Sequence, residues 1–546
     1  MESQTVQQTP QPEVQETPKP SGSKTRIVIL IVILVIVVVA GVGFFLFINK
    51  DQEETGPKVI TDLDRESITI AQSPAFSGIF PDSVPDFAEV VFNNNIFDGL
   101  GRIVDGEVKP ALATSWTNPD DTTWRFTLRK GVKFHNGDML KASDVKFSID
   151  TALKEEWPNS FNLGTVDTVE VVDDFTVDIK TTSPDPVLLN RMVFAFIVSE
   201  EQYKNRGKSE AVGTGPYKFI KMDKDQAILE ANNNYFLGTP KVKKVVYKFF
   251  PDDVTDKQLV EALKKGDIDL AKVTDQKLSQ TLGSSFQVKS LADPFISFLW
   301  MDTARDKSPY IDKSPNPLKN KLVRQAMYKV INVSNVIEEA SLSAVPASQY
   351  VTDAIFGYNP SINRPAPNVD EAKQLMKQAG FADGFSITLD IPGFRLKEGE
   401  EIAKDLEKIN IKTKVNGLTR DEGFEKLVIK QDTSLFVFDY GAETYDAGEI
   451  FTDILHSTDD RYGSANLTSY SNLEIDKLAE ELASVFDTNT RANKLQEAMV
   501  KAMEDLPIIP LYSLESYYMF GNDINWTPTA FGAIYTNEIS GQEIIT

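Results

Sequence analysis

The run Ile27–Ile48, IVILIVILVIVVVAGVGFFLFI, constrains this chain more than any other stretch. Its 22 residues carry no charge. A helix of that length is about 33 Å long, enough to cross a hydrocarbon core of about 30 Å. A cleaved signal peptide has an apolar region of only about 7–15 residues and a small-residue cleavage site. The longer run predicts an uncleaved signal anchor. Lys19, Lys24 and Arg26 precede it, whereas Asp51, Glu53 and Glu54 crowd behind Lys50. Positive flanks stay inside, so the N-terminus is expected in the cytoplasm and the bulk of the chain outside. Residues 1–26 are rich in Gln, Pro, Ser and Thr and are expected to be disordered. Residues 49–57 read as a polar linker.

Charge and cysteine content narrow the classes of function. The first 26 residues hold three acids (Glu2, Glu13, Glu16) and three bases, so the net charge of −23 belongs to the part beyond the anchor. That balance argues against nucleic acid and against an electrostatic grip on anionic lipid. The chain has no cysteine, which removes disulfides, thiolate metal sites and cysteine catalysis. Its two histidines, His135 and His456, are far apart in sequence and make a poor transition-metal set, so no metal is expected. His135 lies in a KFHNG turn and reads as structural. His456 could face a cleft, although a surface helix end is the plainer reading.

The chain of 546 residues exceeds one ordinary core, so two or more lobes are expected. Trp124, Phe126 and Leu128 alternate with Thr123, Arg125 and Thr127, the period of a half-buried strand. Gly131 and Asn136-Gly137 supply turns. Ala142, Val145 and Ile149 recur at helical spacing, with Ser143 as the expected cap. Later, Phe385–Ile391 predicts a strand, Glu400–Lys408 a helix and Ile409–Val415 a strand. A helix over Asp421–Lys430 then leads to a strand over Ser434–Asp439. Such alternation implies an α/β layer containing parallel strands.

No catalytic constellation emerges. Gly213-Thr214-Gly215-Pro216 lacks the Lys-Ser/Thr of a phosphate loop, and Pro216 removes an amide, so it reads as a tight turn. There is no G-x-S-x-G and no H-E-x-x-H. In so acidic a chain, neighbouring carboxylates are background and do not argue for a glycosidase.

The wording of several segments resembles family 5 extracellular solute-binding proteins, the peptide-binding receptors of ABC importers. Pro110–Trp116 (PALATSW), Phe126–Gly137 (FTLRKGVKFHNG) and Ala142–Ser148 (ASDVKFS) match that family's signature. Val212–Phe219, Ala262–Leu270, Leu318–Asn332, Ala372–Phe381 and Asn472–Tyr512, the last with Asp487 and Arg491, continue it in order. Lys141 departs from the Thr or Ser usual there. The resemblance implies an α/β fold like that of periplasmic binding proteins, with two main lobes and an additional one around a ligand cleft. Lobe I is expected over 58–93, 211–290 and 506–546, lobe II over 94–210 and lobe III over 291–505. Hinges are expected near Leu291–Pro294 and Leu506–Pro510. The resemblance further implies a monomer without cofactor or catalysis that serves an ABC permease and ATPase. The anchor Ile27–Ile48 would replace the lipid-modified cysteine of many relatives.

The site implied by the resemblance lies in Phe436–Phe451, FVFDYGAETYDAGEIF. In peptide-binding members the strand here pairs with the ligand backbone. An Asp just beyond, in a Trp-x-x-Asp setting, holds the ligand's α-ammonium. Phe438 stands near that Trp. Glu443 aligns best with the Asp, with Asp446 and Asp439 behind it. Tyr440, Tyr445, Trp300 and Tyr358 could form apolar walls, though core packing suits Trp300 equally. Arg395 could meet a ligand carboxylate or face solvent from its loop. A peptide sensor without import, a receptor for a glycan or metal complex, and a surface hydrolase are the alternative functions.

Overall fold

The computed structural model describes residues 59–76, 78–82, 87–104, 107–157, 160–205, 211–529 and 534–545. The expected tail (1–26), anchor (27–48) and linker (49–57) lie outside the described residues. Among the described residues, no helix is long and apolar enough to cross a membrane. The chain divides into two units, residues 62–543 and residues 1–61 with 544–546.

The spine of the larger unit is a twelve-stranded mixed sheet. One half runs Ile411–Leu418, Phe385–Pro392, Leu435–Tyr440, Ile296–Met301. The other runs Leu270–Val273, Arg65–Gln72, Val242–Phe249, Gln226–Ala231, Tyr217–Met222. The 14-residue strand Ile508–Gly521 joins the halves, and Phe286–Ala292 and Ala344–Pro346 also pair with it. The parallel strands that the alternating pattern predicts are present: Phe385–Pro392 pairs in parallel with both of its neighbours. Helices Lys321–Val330, Val369–Gln378 and Leu396–Glu407 cover one face of the first half, enclosing Leu299, Met301, Leu389, Ile402 and Leu406. Strand residues buried on both faces read as the run ISFLWM, apolar but for Ser297 and buried at all six positions.

A separate four-stranded antiparallel sheet, ordered Ala113–Asp120, Thr123–Leu128, Thr176–Thr181, Val166–Asp173, lies within the expected lobe II. Trp124, Phe126 and Leu128 face inward as their alternation predicts. Helix Ala142–Lys154 packs on this sheet through Val145, Ile149 and Ala152. Its cap differs from expectation. The helix starts at Ala142 rather than at Ser143, because Asp144 in the first turn accepts the Lys141 amide at 2.9 Å. The helix expected over Asp421–Lys430 is also different. One α turn, Arg420–Gly423, passes into a π turn, Phe424–Ile429. Gly423 weakens the α-helix there, and of the π turn's residues only Leu427 is buried, so no apolar stripe holds a regular helix.

Two features tie the parts together. The turn at Gly213–Pro216 crosses so close to Ile96 that a Cβ on Gly213 would lie 2.0 Å from the Ile96 carbonyl oxygen. His135 fastens this turn. Its Nδ1 accepts the Gly213 amide at 3.3 Å and its Nε2 lies 3.0 Å from the Gly215 carbonyl. That arrangement needs the neutral ring, and burial pushes its pKa down to about 4. The second feature is the stretch Leu506–Pro510, expected as a hinge. Arg324 donates to the carbonyls of Asp505 at 2.8 Å and Leu506 at 2.9 Å. Tyr350 donates to that of Ile508 at 3.1 Å, and Arg364 to that of Pro510.

Candidate functional site

Strand Leu435–Tyr440 is built from residues that suit a sheet interior until its last two. Leu435, Phe436 and Val437 are buried, Phe438 is half-buried, and Asp439 and Tyr440 emerge at its carboxyl end. Carboxyl ends of parallel strands are where open α/β sheets bind ligands. Here they open on a cavity of about 1000 Å³. Residues 164–191 form one wall and residues 439–491 the other, with Phe295 between them.

Asp439, Tyr440 and Glu443 all line this cavity. Asp439 is held from behind by Arg395, whose Nη1 lies 2.8 Å away, and by the Ser297 hydroxyl at 2.6 Å. Arg395 is itself buried. It also donates to both Glu398 oxygens at 3.0 Å, and to the Tyr512 hydroxyl. It therefore sits one layer behind the cavity wall and does not face solvent as a loop arginine would. Glu443 is half-buried and has no hydrogen-bond or ion-pair partner among the described residues. Burial, and then the nearby Asp453 charge, raise its pKa.

Two expected site residues are packed elsewhere. Asp446 is buried and bidentate to Arg491 at 2.6 and 2.7 Å, so its charge is already answered. Trp300 is 0% exposed. It stacks on Phe436 at 5.7 Å and donates its indole N–H to the Phe438 carbonyl at 3.0 Å. Of the other aromatic candidates, Tyr445 is buried and Tyr358 is half-buried, and neither lines the cavity. His456 is buried rather than at a surface helix end, because the Tyr462 ring lies 4.5 Å from its own. Among the described residues, no cluster of three or more potential metal ligands is present.

The cavity also gathers residues that the sequence did not single out. Glu449 accepts the Thr444 amide at 2.8 Å and its hydroxyl at 2.7 Å. Burial and the Asp453 charge still push Glu449 up to about 7. Asp453, whose pKa burial raises, accepts the Tyr440 hydroxyl at 3.2 Å. On the opposite wall, Arg191 lies 3.6 Å from Asp185. The available signal was the pair of acids in the otherwise apolar GEIFTDIL, four residues apart and so on one side of a helical turn. The arrangement offers a set of hydrogen-bonding carboxylates gathered on one cavity.

Comparison with known proteins gives this geometry a lineage. The model of bacterial extracellular solute-binding proteins, family 5, matches residues 107–462. Heme-binding protein A of Haemophilus influenzae is 28% identical over 451 residues, covering 74% of this chain and 79% of its own. The oligopeptide-binding protein AppA of Bacillus subtilis is 27% identical over 445 residues, covering 74% and 78%. Among solved structures, HbpA2 from Haemophilus parasuis superposes with a TM-score of 0.77 at 21% identity, over 88% of this chain and all of that one. The chain belongs to the bacterial extracellular solute-binding proteins of family 5, non-enzymatic receptors that act outside the cytoplasm and deliver substrates to ABC transporters.

Proposed function

We propose that this member of the family is a membrane-anchored receptor that captures peptides in the cavity beside Glu443 by closing its lobes, and passes them to a permease. Glu443 carries the reading. A half-buried carboxylate without a partner, at the exit of a sheet strand, is costly unless a cation completes it. An α-ammonium is such a cation, and the similar protein from Bacillus subtilis is named for oligopeptide binding. Phe438, Tyr440 and Asp439 supply the strand end along which a peptide backbone would lie. Closure is ligand-selected hinge motion, with no covalent step.

The test uses the purified full-length protein and peptides with free or acetylated amino ends. Glu443→Gln keeps the size and removes the charge. It is expected to weaken binding by about 2–5 kcal/mol with unchanged circular dichroism. Acetylation is expected to cost the wild type a similar amount and the variant little more, since both changes break one pair. Normal binding by Glu443→Gln, or equal affinity for acetylated peptide, would sink the anchor. The tether is Ile27–Ile48, with one span and residues 49–546 outside. A protease added to intact cells should remove that outer part and spare the N-terminal tail. Recovery of a secreted protein beginning near Lys50 would refute the tether.

A further inference from the structure

The cavity holds more negative charge than one ammonium group can answer. The cations around it are largely committed. Arg491 is bidentate to Asp446, Arg395 backs Asp439, and Arg191 lies 3.6 Å from Asp185. Glu443, Glu449 and Asp453 have no cation within ion-pair distance among the described residues. All three line the same cavity of about 1000 Å³, whose two walls come from distant parts of the chain. Glu449 precedes the π-helical segment Ile450–Leu455 and Asp453 lies within it, four residues on. Each is fixed in place, Glu449 by Thr444 and Asp453 by the Tyr440 hydroxyl at 3.2 Å. Asp453 is also the charge that Glu443 feels most, so these carboxylates are close neighbours.

Resting on the reading that Glu443 anchors an amino end, we propose that the first residue of the peptide carries a second positive charge on its side chain. Glu449 and Asp453 receive it. Lysine and arginine place two cations on one residue, one at the backbone and one at the end of a flexible stem. That pattern matches one carboxylate at the strand exit and two more beside it. An apolar first side chain would instead seal Glu449 and Asp453 from water without a partner, which is unfavourable. The competitor of the incoming cation is a proton. Burial raises the pKa of Asp453 and pushes that of Glu449 up to about 7, so proton and cation compete for the same oxygens. The Arg191 charge acts the other way and lowers both pKa values, by less than burial raises them.

The test compares Lys-Ala-Ala-Ala with norleucine-Ala-Ala-Ala, which has a side chain of similar length and no charge. Both are titrated calorimetrically into the full-length protein. The wild type is expected to bind the lysine peptide at least about tenfold more tightly. In Glu449→Gln/Asp453→Asn the preference for lysine over norleucine should collapse to within about twofold. Equal affinities in the wild type overturn the proposal and leave the Glu443 anchor standing, because both peptides carry an α-ammonium. A preference that persists in the double variant overturns the assignment to Glu449 and Asp453. If that variant does not fold, Glu449→Gln alone must lower the preference, and an unchanged ratio counts against the proposal. Binding of neither peptide, alongside a thermal shift from a solute without an amine, overturns anchor and proposal together.

Discussion

Glu443 and Asp446 stand three residues apart in one acidic loop and have opposite roles. Asp446 neutralises Arg491 in the interior, whereas Glu443 faces the cavity with its charge unanswered. The sequence makes the loop visible, since an apolar strand runs straight into it. It does not say which carboxylate is spoken for, because the partner that decides lies 45 residues further on. Trp300 and Arg395 illustrate the same limit. Whether an aromatic or a guanidinium lines a cleft or supports it depends on which strands become neighbours. A single buried acid offers a sharper test of such packing. Asp98 accepts the Thr214 hydroxyl at 2.7 Å and the Tyr235 hydroxyl at 2.9 Å, yet burial raises its pKa from 3.8 to about 6. The folded state therefore binds this proton more tightly than the unfolded chain. The stability contributed by Asp98 falls as pH rises from about 3.8 to about 6 and is constant beyond. Asp98→Asn lacks that loss. Between pH 4 and 7 its stability relative to wild type should rise by about 2 kcal/mol, an upper figure for a fully buried group, in urea denaturation. Parallel pH profiles for the two proteins would contradict this.

At the scale of elements, regular periodicity was legible and its interruptions were not. The strand at Phe385–Pro392 and the helix ending at Glu407 follow the spacing of their apolar residues. The π turn at Phe424–Ile429 does not, because its outward aromatic and aliphatic residues mimic a helical stripe that packs on nothing. The hinge expected at Leu506–Pro510 shows how contacts bear on a proline-based reading. Pro507 and Pro510 led to the expectation of a crossing, but the carbonyls of residues 505, 506, 508 and 510 are tied to Arg324, Tyr350 and Arg364, all within 324–364. Fewer side chains bind the next stretch, where the Asp293 amide meets the Leu514 carbonyl at 2.7 Å and Glu515 reaches Ser343. Closure is thus expected to bend residues 292–295 and 512–516. Hydrogen exchange with and without bound peptide should change most at the amides of Asp293 and Glu515. A change centred on 505–510 would put the pivot where the prolines first suggested.

At the scale of the whole molecule, the resemblance of a few motifs carried the fold, and composition alone could not have done so. Apolar and charged fractions of 41% and 25% fit many soluble architectures. They leave open the order of strands, and that order turns on one element. Ile508–Gly521 is the shared member of both halves of the large sheet, pairing with Ile296–Met301 on one side and with Phe286–Ala292 and Leu270–Val273 on the other. It is also made after every strand it joins. A ribosome works from one end, so each half remains an open edge until residue 521 has emerged. The large sheet can therefore be completed only late in synthesis, once every other strand it contains has already been made.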